Sequence, residues 1–180
     1  MKNSLYILGQ LTDEDVEWML ATGSRRPLAP GTILIREGHP ADALFIVLDG
    51  TLSVTLAALG GREVDQPGVG TIIGEMSFVD AHPPSATVSA RAPAVVFAID
   101  RGRLQAKLDQ DPAFAARFYR ALAILLSDRL RNALAQLNGG QQRGTGGDGL
   151  DEDEIDLNVL DNVYLAGARF TRILQRLMGG

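Results

Sequence analysis

Between Arg25 and Ile99 the chain breaks into short runs of β-branched and aliphatic residues separated by turn residues, most of them glycine, and this pattern most constrains the fold. Residues 32–35, 44–48, 52–56, 71–73, 87–90 and 95–99 read as strands, punctuated by Gly31, Gly38, Gly50, Gly60-Gly61, Gly68 and Gly70. They predict an antiparallel sandwich or barrel.

Helices are expected on both sides of this β region. Residues 11–20 have Thr12 as an N-cap, Asp15 three positions later, and an apolar side made by Leu11, Val16, Met19 and Leu20. After Asp100 a short helix over 101–108 runs into Asp111-Pro112, where proline suits the first turn of a second, longer helix. Phe114, Phe118, Leu122, Leu125, Leu126, Arg129, Leu130, Ala133, Leu134 and Leu137 recur there at steps of three and four, giving it a strongly apolar side. That side can pack on the β region, or also form a dimer seam.

Residues 138–149 hold six glycines in twelve positions and no large apolar side chain, so 138–150 is expected to be a flexible linker that ends a first domain at 1–137. Within 151–180, five carboxylates in six residues precede a helical pattern carried by Leu160, Val163, Tyr164, Gly167, Phe170, Ile173, Leu174 and Leu177. The leading acids and the trailing Arg169, Arg172 and Arg176 suit the helix dipole. An amphipathic helix of this kind needs a surface to cover its stripe: its own domain, a dimer partner or another protein.

Composition removes several classes of function. The 180 residues contain no cysteine, which excludes disulfides, thiolate metal sites and a cysteine nucleophile. His39 and His82 have no metal-type spacing. Net charge is −5, so no extended nucleic-acid surface is expected. No apolar run approaches the ~20 residues of a membrane span, and the first eight residues lack a secretory pattern, so a cytoplasmic protein without membrane insertion is expected. Glu75, Asp80 and His82 come nearest to a catalytic cluster, but no nucleophile accompanies them. No catalytic residue and no metal site are predicted, and the chain is not read as an enzyme.

The remaining motif is Gly74-Glu-Met-Ser-Phe-Val-Asp-Ala-His-Pro-Pro-Ser-Ala-Thr87. Taken alone it reads equally well as an ordinary turn, with Met76 and Phe78 as core residues of a short helix and Ser85-Ala-Thr-Val opening a strand. Its chemistry also suits a cyclic nucleotide. Glu75 can accept from a ribose hydroxyl where Gly74 lets the backbone turn sharply. The N–H groups of Ser85 and Ala86, with the hydroxyls of Ser85 or Thr87, can cradle a phosphate as a backbone nest. Pro83 and Pro84 offer no N–H but stiffen the approach.

This stretch resembles the phosphate-binding cassette of cyclic-nucleotide-binding domains, in which Gly-Glu is followed about nine residues later by Pro-Arg-(Ala/Ser)-Ala-Thr. Pro84 stands in the arginine's place. The upstream stretches Pro30-Gly31-Thr-Ile-Leu-Ile-Arg-Glu37-Gly38 and Asp42-Ala-Leu-Phe-Ile-Val-Leu-Asp-Gly50-Thr-Leu-Ser-Val54 are similar to the family's first strands, and the resemblance spans about residues 8–137. It implies a mainly β fold with flanking helices: an antiparallel, jelly-roll-like β-roll with an N-terminal helix, a short cassette helix and a long C-terminal helix. The tail helix is an addition.

Functionally the resemblance implies a regulatory sensor for a cyclic nucleotide, cyclic AMP or cyclic GMP, held by Gly74, Glu75, Met76, Ser85, Ala86 and Thr87. The absent arginine removes a charge-assisted contact of roughly 3 kcal/mol, about 10²-fold in affinity. His82 and Arg91 are the nearby cations that could replace it. Ser127, Arg131 and Asn132 are the polar candidates on the long helix for covering the base, with the tail helix as the other lid. No helix-turn-helix follows the long helix, so output is expected through a homodimer, along the long helix or the tail, or through a protein partner of the tail. The alternative is an assembly module that keeps the fold without the ligand.

Overall fold

The computed structural model describes residues 3–80, 82–139 and 157–179. Eight strands form two four-stranded antiparallel sheets: β1 (Ser24–Leu28), β8 (Ala94–Asp100), β3 (Ala43–Asp49) and β6 (Ile72–Ile73) in one, and β2 (Ile33–Ile35), β7 (Thr87–Ala90), β4 (Leu52–Leu56) and β5 (Arg62–Asp65) in the other. Among the described residues five helices flank this roll: α1 (Asn3–Gln10), α2 (Asp13–Thr22), α3 (Arg101–Gln110), α4 (Pro112–Gly139) and α5 (Leu157–Met178).

The six strands read from the sequence are all present, each within one residue of its expected ends. β1 and β5 were not expected. Both lie at sheet edges, where a proline and exposed charges are tolerated; β1 reads Ser-Arg-Arg-Pro-Leu and β5 Arg-Glu-Val-Asp, with no apolar alternation to mark them.

β3 explains how the sheets and helices share one core. Its apolar run from Ala43 to Leu48 is buried on both faces. Ala43, Phe45 and Val47 point into the roll with Leu52, Val88 and Val96, while Leu44, Ile46 and Leu48 face the helical layer. That layer is dominated by Phe114, Phe118, Leu122 and Leu125 of α4, all fully buried. Trp18 meets Phe114 edge-on at 5.6 Å between centroids, and Phe114 stacks on Phe118 at 5.8 Å.

α2 starts one residue after the expected cap: the Thr12 hydroxyl accepts from Asp15 N–H and the Asp15 carboxylate accepts from Thr12 N–H, a complete capping box. Asp15 also receives two hydrogen bonds from the Arg117 guanidinium, at 2.7 and 2.9 Å, which clamp α2 to α4.

The apolar side read along α4 divides in two. Its first half is core, whereas Leu130 and Leu134 are exposed together with Tyr119. The side chain of Leu137 lies outside the described residues, as do the predicted linker beyond Gly139 and the acidic segment 151–156. α5 docks on its own chain. Ala166, Phe170 and Ile173 are buried in the helical core beside Ile7 and Leu8, Arg169 donates to Asp13 and to the Leu8 carbonyl, and Arg176 pairs with Glu17. Among the described residues no helix is long and apolar enough to cross a membrane.

Candidate functional site

Gly74 closes β6 and turns the chain into a single 3-10 turn, Glu75–Phe78. Its φ is +88°, and a Cβ there would sit 2.8 Å from the Ala43 carbonyl oxygen of the neighbouring strand, so only glycine fits. The turn directs Phe78 toward the helices, where it meets Phe118 edge-on at 6.1 Å, and Glu75 toward a cavity between the roll and α4.

The cavity has a volume of about 920 Å³. Ile35, Val54, Ile73 and Val88 form its apolar floor, and the cassette forms one wall. Of the residues predicted to bind ligand, Gly74, Glu75, Met76, Ser85 and Ala86 all line it. Thr87 does not. Its hydroxyl accepts from the Glu37 N–H at 3.1 Å, and with the Gly38 N–H donating to the Pro84 carbonyl at 2.9 Å it fastens the cassette to the turn after β2. Thr87 is thus a structural tie beside the cavity, and accepting this bond leaves its own O–H available as a donor. The N–H groups of Ser85 and Ala86 have no acceptor among the described residues, consistent with an open backbone nest.

Glu75 is 2% exposed and paired to the Arg129 guanidinium of α4, which also donates to the Ile72 carbonyl at 2.7 Å. Burial pushes the Glu75 carboxyl above its ordinary range; Arg129 and a backbone hydrogen bond pull it back without cancelling that effect. Arg129 is two-thirds buried and lines the cavity.

Neither expected substitute for the cassette arginine reaches the nest. Arg91, just past β7, is turned to Glu63 of β5 at 3.9 Å and does not line the cavity. His82 lies at the cavity rim, 85% exposed and 3.3 Å from Asp80. Ser127 and Arg131 do not line the cavity, and the side chain of Asn132 lies outside the described residues. Sequence reading placed Arg129 in an apolar stripe and missed its role. A guanidinium amid leucines and alanines was the available signal, because a cation on a buried face requires a partner. Among the described residues no group of three or more His, Asp or Glu is placed to hold a metal.

A family model described as cyclic nucleotide-binding domain matches residues 25–111. The cyclic AMP receptor protein of Thermus thermophilus is 31% identical over 140 residues, covering 77% of this chain and 62% of that protein. A cyclic nucleotide-gated potassium channel of Mesorhizobium japonicum is 31% identical over 93 residues but only 25% of its length is matched. The chain therefore spans between a quarter and about three-fifths of these curated relatives. Among solved structures, a cyclic nucleotide-binding domain from Methylobacillus flagellatus superposes with a TM-score of 0.67 at 25% identity, covering 82% of this chain and 85% of that one. The N-terminal domain of a Streptomyces coelicolor transcriptional regulator gives 0.58 at 30% identity, covering 81% and 96%. Through residues 25–111, with its two-sheet roll, glycine-turned cassette and long following helix, this chain belongs to the cyclic-nucleotide-binding domain family.

Proposed function

We propose that the protein is a regulatory sensor module in which a small molecule in the cavity sets the position of α4. The observation that carries this reading is the Glu75–Arg129 pair: the cassette glutamate and a side chain of the long helix meet at the cavity wall, so an occupant that engages either one acts on both. Phe78 against Phe118 supplies a second contact between the same two elements.

Cyclic AMP and cyclic GMP are the ligands that family membership points to, and they fit by size. A ribose hydroxyl would face Glu75, and the phosphate would face the N–H groups of Ser85 and Ala86. Without a guanidinium at position 84 their affinity is expected to lie about 10²-fold below that of an arginine-bearing cassette. Thermal melting with millimolar cyclic AMP, cyclic GMP and cyclic dinucleotides tests the reading. A ligand at 100 times its dissociation constant adds about 2.7 kcal/mol, which raises Tm by several degrees in a chain of this size. Glu75→Ala and Arg129→Ala should each remove the shift. A shift that survives both would place the ligand outside the cavity.

The alternative reading, an assembly module, has its own observation. Tyr119, Leu130 and Leu134 are 40%, 61% and 50% exposed along one helix. We propose that this face of α4 forms a homodimer seam, which is compatible with sensing, since a ligand acting on Arg129 acts on the helix that carries the seam. Leu130→Glu is expected to halve the mass seen by light scattering while leaving the melting transition intact. A protein that is monomeric before the change would refute the seam.

A further inference from the structure

The charges around the cavity do not suit an anion. Among the described residues three carboxylates line it, Asp65, Glu75 and Asp80, against one guanidinium, that of Arg129, which is already committed to Glu75 and to the Ile72 carbonyl. His82 at the rim is turned to Asp80. Pro83 and Pro84, which line the wall where a phosphate would bind, withhold both N–H donors and charge, so that the cassette offers it neutral donors alone, the N–H groups of Ser85 and Ala86 and the Ser85 hydroxyl. An anion would meet a net negative surface across a partly enclosed, weakly screened space.

The apolar side of the same cavity is extensive. Ile35, Val54, Ile73 and Val88 form its floor, all but Val54 of them less than a tenth exposed. Across the opening stand Met76, 51% exposed, and the short side chains of α4. A volume of about 920 Å³ lies within the range of roughly 300–1,000 Å³ typical of small-molecule sites, and a mostly apolar lining with a few placed polar groups is their usual composition.

We infer that the cavity takes a predominantly apolar small molecule that carries no negative charge and presents a hydrogen-bond donor to Glu75. The inference rests on the sensor reading and names the ligand class for that site. Asp65 and Asp80 at the rim select against anionic relatives of such a molecule, and the rigid Pro83-Pro84 wall supplies flat apolar contact in place of a phosphate clamp.

The test compares two fluorescent probes with nearly the same body, uncharged N-phenyl-1-naphthylamine and its sulfonate, 1-anilinonaphthalene-8-sulfonate. The uncharged dye is expected to bind at least about tenfold more tightly, a difference of one like-charge contact. Asp65→Asn with Asp80→Asn should narrow that ratio toward unity, since asparagine retains the acceptors that each aspartate offers its own loop, to Gln66 N–H and His82 N–H. Ala86→Trp should block the uncharged dye by filling the cavity. Ala135→Trp, at an exposed helix position on the opposite wall, provides the same block with less risk to folding.

Equal or tighter binding of the sulfonate, or uncharged-dye binding that neither tryptophan weakens, overturns the inference. If cyclic AMP raises Tm while the uncharged dye fails to bind, the ligand class is wrong and the sensor reading stands. If neither binds, both fail.

Discussion

Pro84→Arg is expected to raise affinity for cyclic AMP about 10²-fold, the equivalent of roughly 3 kcal/mol, because it restores a bidentate, charge-assisted contact to the phosphate. The backbone at this position is already held in place: the Pro84 carbonyl accepts from the Gly38 N–H, and the Thr87 hydroxyl ties the start of β7 to Glu37. An arginine here would add a cation beside the Ser85 and Ala86 N–H groups and offset the carboxylates on the cavity wall. Loss of the proline's rigidity costs about 0.4–1 kcal/mol of folding stability through the unfolded state, which leaves the affinity of the folded chain unaffected. Isothermal titration calorimetry on the wild-type and variant chains measures the effect. An unchanged affinity would mean that the nest does not receive the phosphate.

The largest loss of stability is expected from Asp15→Ala, at about 3 kcal/mol, because it breaks a largely buried ion pair. One carboxylate serves both ends of a junction, completing the cap of α2 and receiving the Arg117 side chain of α4 through two hydrogen bonds. Asp15 is 4% exposed, whereas Arg117 is a third exposed and can turn to water after the change, which places the cost at the lower end for such pairs. Tm should fall by roughly 6–12 °C at about 2–4 °C per kcal/mol for this chain length.

Burial alone would raise the Asp15 carboxyl, but hydrogen bonds from Arg117 and Thr12 outweigh it and hold the group below its ordinary value. The contribution of Asp15 is therefore fully present above about pH 4, the unfolded value, and is lost as pH falls through the lower folded one. The stability gap between wild type and Asp15→Ala should be constant above that point and shrink below it. A gap that widened in acid would contradict this assignment.

Periodicity made most of the fold legible. Continuous runs such as Ala43–Leu48 are buried on both faces, and the Thr12–Asp15 cap is a local device whose partners lie three residues apart. β1 and β5 were illegible for the converse reason: an edge strand is specified by its neighbour's free backbone groups, and its own side chains need not alternate. The site divided along the same line. Gly74, Glu75, Met76, Ser85 and Ala86 are close in sequence and converge on the cavity. Arg129 comes from 54 residues beyond Glu75, a juxtaposition made by packing α4 across the roll. The Thr87 hydroxyl also accepts from the Glu37 N–H, a partner 50 residues away that no spacing rule reveals.

The docking of α5 on α1 gives the chain a distinctive order of assembly. α1 has only eight residues, too few to hold a helix in water, and it lies between α4 and α5 with Ile7 and Leu8 fully buried. On the ribosome it precedes α5, which is made roughly 10–30 s later at about 5–20 residues per second. Throughout that interval Ile7 and Leu8 lack their final cover, so a helix translated well before α5 reaches its native surroundings only after it.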